Sequence, residues 1–512
     1  MSQSAAQTQP HVRYAQVTII STLLVALFVA YFFYDAEGFA RRVDISFAWS
    51  AKYFGGYWQL LLLANFVVAL TLATRPAAKM RLGARDSAEF PLFQWVTMIL
   101  CTLLAGGGVF WAAAEPIAHF VSPPPVHGDV APLSMSAIPL ALSQSFLHWG
   151  FLAWSILGSV GAVILMRLHY DQGLPLAPRT LLYPLLGQRA IKGWIGDTAD
   201  IVSALSVFAG TVGPIGFLGV QISYGLHVLF GVPDTLLTQL ITIAGLMVVY
   251  LTSAVSGMHR GIQILSRLNI VLGALLLVFL VIAGPSTFIV SNLFSALGVH
   301  IRDFLPMALY RGEAGLFGDP GWLSYWTVFF WGWFIGYTPM MAIFIARVSR
   351  GRSARSIIVM MSIVAPILTM VWFAIVGGTG LGIEVNQPGA ISEPFTGFNL
   401  PAALLAMTQA LPLGTLVSVL FLVLATLFVA TTGDSMTYSL AVVSSGAEHP
   451  PLWLRVFWGL AMGITAMVLI TGTGGGIGKL QSFIVVTAVP VSLLLLPTLW
   501  GVFTVLNKNN KH

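Results

Sequence analysis

The stretch Trp322-Leu-Ser-Tyr-Trp-Thr-Val-Phe-Phe-Trp-Gly-Trp-Phe-Ile-Gly-Tyr-Thr-Pro-Met-Met-Ala-Ile-Phe-Ile-Ala346 holds no Asp, Glu, Lys or Arg, and Arg347, Arg350, Arg352 and Arg355 follow it at once. About 20 apolar residues are needed for a helix to cross a hydrocarbon core. Basic residues gather on its cytoplasmic side. The stretch therefore reads as a membrane span with a cytoplasmic anchor. The same test applied outward in both directions gives twelve spans near 14–34, 53–74, 90–112, 137–166, 201–224, 235–256, 268–286, 322–346, 356–377, 412–445, 452–471 and 480–506. Segments 288–304 and 396–409 read as short interfacial helices with connecting loops.

Composition agrees: 57% of the 512 residues are hydrophobic and 8% are charged, against about 25% charged in soluble domains. A soluble enzyme, a disordered protein and a disulfide scaffold are excluded. The single cysteine, Cys101, permits no internal disulfide and no thiolate metal cluster. With the N-terminus in the cytoplasm, 18 of the 24 basic residues fall on that side, which puts both termini there. The formal charge of +6 thus reports topology and not a nucleic-acid partner. No small-residue A-x-A cleavage site follows the run Tyr14 to Tyr34, so it reads as a retained helix. There is no Walker motif and no cofactor-attachment pattern. No paired carboxylates, histidine cluster or nucleophile elbow stand out within the expected spans, so a transporter is favoured over an enzyme.

Secondary transporters place substrate and ion where helices break near the bilayer midplane. Three glycine-rich sites are candidate breaks: Gly106-Gly107-Gly108 in the third span, Gly210 to Pro214 in the fifth, and Gly332 to Pro339 in the eighth. At about 100° per residue, Trp326, Phe330, Trp333, Phe334 and Tyr337 share one helix face while Trp331 points elsewhere. Such a wall of rings suits an onium cation, whose weak hydration lets it dock on π faces without a buried carboxylate. Trp149 and Trp154 on the fourth span and Trp111 on the third are available to close the box. Asp434 is the clear intramembrane charge, either a proton relay or a structural tie. Thr431 and Thr432 beside it supply hard oxygens of the kind that suit Na⁺.

At these residues the chain resembles the betaine/carnitine/choline transporter (BCCT) family. The similarity is carried by Trp326 to Pro339 running into Ile345-Ala-Arg-Val-Ser-Arg-Gly-Arg352, by Phe110-Trp-Ala-Ala-Ala-Glu-Pro116 and by His148-Trp-Gly150. The resemblance implies an all-α, LeuT-like 5+5 inverted repeat preceded by two N-terminal helices. On that reading, 1–13 is a cytoplasmic tail and 14–88 holds two peripheral helices. Residues 89–287 form the first repeat, 288–321 an interfacial helix and loop, 322–506 the second repeat and 507–512 a short tail. It also implies a multi-pass protein of a bacterial-type inner membrane, a small onium substrate and a homotrimer.

Carried over by motif position, Trp333, Phe334 and Tyr337 are the cage residues, with Trp331 and Phe330 beside them and Trp149 and Trp154 opposite. Phe428, Thr431 and Thr432 match the main sodium site of sodium-dependent members, completed by backbone carbonyls near Cys101 and Leu104. In the family's Gly-x-Gly-x-Gly pattern this chain has Leu103, Ala105 and Gly107, with Gly106 and Gly108 adjacent. That change shifts the expected substrate toward an onium without a carboxylate at that place. No cofactor is expected beyond Na⁺ as coupling ion. Proton-coupled or ion-independent onium transport is the alternative, and an ammonium-type channel the alternative of another class.

Overall fold

The computed structural model describes residues 14–256, 261–312, 315–318, 321–472 and 477–507, and the side chains of all of these except 103, 105, 106, 472 and 477–480. Among the described residues, eleven helices are long and apolar enough to cross a bilayer, and one bent pair in the third span makes twelve. The span count read from charge-free runs therefore stands, while several boundaries move. The second helix is Ala36–Thr74, not 53–74. Asp35 caps it by accepting the Gly38 N–H at 2.8 Å, and its early turns carry Arg41, Arg42 and Asp44. Those charges hid the turns from a search for charge-free sequence. The third helix, Leu92–Val121, continues through Glu115 and Pro116 instead of stopping near 112. The interfacial helices are Ser286–Arg302 and Leu400–Gln409.

Of the three expected breaks, the third span bends by 59° between Leu92–Thr102 and Gly107–Val121. The other two do not break. The fifth span is one helix, Trp194–Phe230, through Gly210 and Pro214, and the eighth is one helix, Thr327–Val348, through Gly332 and Pro339. Their glycines serve close packing instead: Gly332 lies against the Trp58 ring and Gly336 against Ser206. In lipid, where helices gain little from hydrophobic association, such close approach is a main source of affinity between them. A break that was not expected divides the fourth span into Ala137–Trp149, Phe151–Gly158 and Val160–His169. At Gly150 the backbone leaves helical geometry, and a Cβ there would come within 2.2 Å of the Phe146 carbonyl oxygen. Only glycine fits this corner, which sets His148 and Trp149 at the end of a half-helix.

Burial separates centre from periphery. The most apolar window of the eighth span is 100% buried and that of the fourth 94%, whereas the first is 17% and the sixth and seventh are 28% buried. The eighth span packs on the second, fourth, fifth, tenth and twelfth, and the third packs on the fourth, seventh, ninth and tenth. A polar seam ties the second, fourth and ninth spans, with Asn65 Nδ2 donating to Ser155 Oγ at 3.1 Å and Ser362 Oγ to the same oxygen at 3.1 Å.

Candidate functional site

Trp333, Phe334 and Tyr337 on the eighth span meet Trp149 on the fourth around a small cavity closed by Leu104, Leu157 and Met341. Trp149 stands edge-on to its neighbours, 5.4 Å from Phe334 at 71° and 6.2 Å from Trp333 at 82°. Each polar ring atom is bonded away from the cavity. Trp333 Nε1 donates to the Gly210 carbonyl at 3.2 Å, Tyr337 shares a 2.7 Å hydrogen bond with Thr211, and Trp149 Nε1 donates to Glu115 Oε2 at 2.7 Å. The rings are thereby fixed and their faces left to the cavity. Its volume is about 20 Å³, room for about one water and too little for a trimethylammonium group. The rings must part to admit one.

Gly107 touches this site directly: a Cβ would come within 2.8 Å of Trp333 Cη2 and 3.1 Å of Trp149 Cη2. The surroundings of Gly106 lie outside the described residues. Phe330 forms the next layer, 5.2 Å from Trp149 and 5.1 Å from Trp111, and Trp111 continues to Trp326 at 6.0 Å. Trp331 and Trp154 are buried, but neither lines the cavity.

The bend of the third span is held by the tenth. Thr432 Oγ donates to the Thr102 carbonyl at 3.0 Å, and Thr102 Oγ shares a 3.1 Å hydrogen bond with Ser435 Oγ. Thr431 Oγ accepts from Asn269 Nδ2 at 3.2 Å. Hard oxygens from two spans thus converge where the third span bends, a donor set suited to a small cation. Leu104 lies within this bend and lines the cage, Cys101 is buried with its thiol 3.5 Å from the Ser266 carbonyl, and Phe428 faces a separate lateral cavity shared with Trp372. Asp434 is tied on both oxygens, to Arg455 at 2.6 Å and Ser253 at 2.5 Å. Of its two readings, the geometry is that of the structural tie.

A family model described as "BCCT, betaine/carnitine/choline family transporter" matches residues 16–511. The chain belongs to the betaine/carnitine/choline transporter family. Among its relatives, glycine betaine transporter 2 of Vibrio parahaemolyticus is 55% identical over 94% of this chain and 88% of its own. The ectoine/hydroxyectoine transporter of Virgibacillus pantothenticus is 31% identical over 92% of each. Among solved structures, a Na⁺-coupled sialic acid symporter in a substrate-bound outward-open state covers 88% of this chain and 86% of its own, at TM-score 0.52 and 13% identity. MhsT in complex with L-phenylalanine covers 80% and 89% at TM-score 0.51 and 12% identity. These two show the LeuT-like fold of this BCCT protein.

One group in the BCCT chain escaped the sequence reading. Glu115, His119 and His148 lie fully buried with one ligand-type atom each within 4.8 Å of the others. This corrects the expectation that the spans hold no histidine cluster and that Asp434 is the clear intramembrane charge. The signal was present, since Trp111, Glu115 and His119 recur every four residues on one helix face. It was missed because the third span was ended at 112. Spacing alone would admit a metal, but His148 Nδ1 sits 2.6 Å from Glu115 Oε1, a hydrogen-bond length, and Glu115 Oε2 is taken by the Trp149 indole. The set is a carboxylate held by N–H donors.

Proposed function

We propose that this BCCT protein imports a small onium compound by sodium symport with alternating access. One observation carries the reading: rings from two spans enclose one cavity while all of their polar atoms are bonded outward, which suits a cation that needs π faces and no counter-ion. Glycine betaine stands first among the candidates, because the 55% identical relative is called a glycine betaine transporter. The sequence-based expectation of an onium lacking a carboxylate gains no support from that relative. Sodium is favoured over the proton by the oxygens of Thr102, Thr431, Thr432 and Ser435 and by the engagement of Asp434 with Arg455. Both termini are read as cytoplasmic from the basic-residue bias and the even number of spans.

The test is uptake by purified protein in liposomes of labelled glycine betaine, choline and carnitine, with and without an inward sodium gradient. Saturable accumulation of one of them that requires sodium is the expected result. Accumulation indifferent to sodium would remove the coupling, and passive, non-saturable flux would favour a channel.

A further inference from the structure

We propose that Glu115 is a positioning and charge-selecting residue for onium binding, acting through Trp149; this rests on the cage reading above. The carboxylate lies outside the cavity, yet it holds the one cage ring that the fourth span supplies. An indole N–H can only donate, so Glu115 Oε2, 2.7 Å from Trp149 Nε1, is an acceptor. The other oxygen, Oε1, is reached by His148 Nδ1 at 2.6 Å and His119 Nε2 at 3.4 Å. His148 is itself fixed by Thr327 Oγ at 2.9 Å, on the span that carries the rest of the cage. Third, fourth and eighth spans are thereby joined through one side chain.

Two consequences follow from this geometry. The indole cannot rotate about its Cα–Cβ bond without losing its hydrogen bond to Glu115, and its far edge lies where a side chain on residue 107 would be, a place that Gly107 leaves open. The ring therefore keeps the edge-on attitude to Phe334 and Trp333 that turns it toward the cavity. Beyond orientation, an anion at the N–H edge pushes electron density onto the ring face, the part that meets a cation. Among the described residues, the ion-pair partners of Glu115 are His119 and His148 alone, with no Lys or Arg. When ionised it therefore has no permanent cation to neutralise it, and its charge acts on the ring and on the cation beyond it. Asp434, by contrast, is matched by the permanent cation Arg455.

The experiment compares glycine betaine with 3,3-dimethylbutanoate, in which a carbon replaces the quaternary nitrogen. Each competes for uptake of labelled glycine betaine into liposomes bearing wild type, Glu115→Gln, Glu115→Asp or Trp333→Leu. Gln keeps an oxygen for the indole but removes the charge. Glu115→Gln should weaken glycine betaine by about three- to tenfold and should not weaken the isostere, whose tert-butyl head carries no charge. Glu115→Asp keeps the charge and should hold the betaine-to-isostere ratio within about twofold of wild type, so a poorly folded Gln variant does not leave the matter open. A Gln variant that weakens both compounds alike, or neither, overturns the proposal, as does an Asp variant whose ratio falls to one. Trp333→Leu separates the two layers of inference. If it lowers the ratio while both Glu115 variants do not, only the role of Glu115 falls; if it leaves the ratio unchanged, the cage itself is misassigned.

Discussion

The rings of the cage differ in how firmly each is held, and this decides what single substitutions do. Trp333→Leu removes a desolvated π face and should weaken onium binding by about 1–2 kcal/mol, read as apparent affinity in competition uptake. Trp331→Leu should leave that affinity nearly unchanged, since Trp331 lies off the cavity. Gly107→Ala adds a Cβ 2.8 Å from Trp333 Cη2 and 3.1 Å from Trp149 Cη2, so both rings must shift. We expect its KM for the onium to rise while the sodium dependence of uptake is kept. At this scale the periodicity of the eighth span was enough to pick out Trp333, Phe334 and Tyr337. Glu115 is overlooked for a plain reason, although its four-residue spacing from Trp111 and His119 is in the sequence: a search for charge-free runs ends a span at its first carboxylate. A carboxyl group bonded to the Trp149 indole and to His148, with His119 beside it, stays inside the membrane nonetheless.

Among the spans, the third and tenth are tied together at the bend. Thr432 reaches across to the Thr102 carbonyl at the bend, so Thr432→Ala should abolish sodium-stimulated uptake while leaving binding of the onium at high concentration measurable by competition. Farther along the tenth span, Arg455→Leu would leave Asp434 buried and uncompensated. Loss of one partner from such a pair costs about 3–5 kcal/mol, seen as a fall in the thermal unfolding midpoint of the purified protein. Adding Asp434→Asn to Arg455→Leu should restore part of that loss. Glycine runs alone could not tell a break from a packing notch. Gly106 to Gly108 sits at a bend, whereas Gly210 and Gly332 sit in unbroken helices against Tyr337 and Trp58. Sequence gives the small residue in both cases, and only the neighbour's bulk distinguishes them.

Across the molecule the cage is sealed on both sides. On the side away from the termini, His119 lies 4.3 Å from Trp326, which continues to Phe398 at 5.6 Å. On the side of the termini, Arg347 pairs with Glu89 at 2.9 Å and lies 3.1 Å from Glu448, which Tyr170 also contacts. The cluster Arg347 to Arg355 was read as a topological anchor. The structure adds a second use, as a bolt between the eighth span, the segment before the third and the loop after the tenth. Glu448→Gln should loosen this bolt and speed exchange of internal for external substrate relative to net uptake, measured as counterflow in liposomes. Twelve spans and their orientation bias were legible because bilayer thickness and charge act on sequence locally. The bolt was not, since it depends on which loops meet.

The buried Cys101, one residue before the bend and the only cysteine in the chain, turns the native protein into its own reporter. Its thiol is shut away against the Ser266 carbonyl of the seventh span, so alkylation by a small maleimide should be slow, and slower still if sodium holds the bend closed. Reactivity could be followed in the unaltered transporter, with no cysteine-free background to build and no label to attach beforehand.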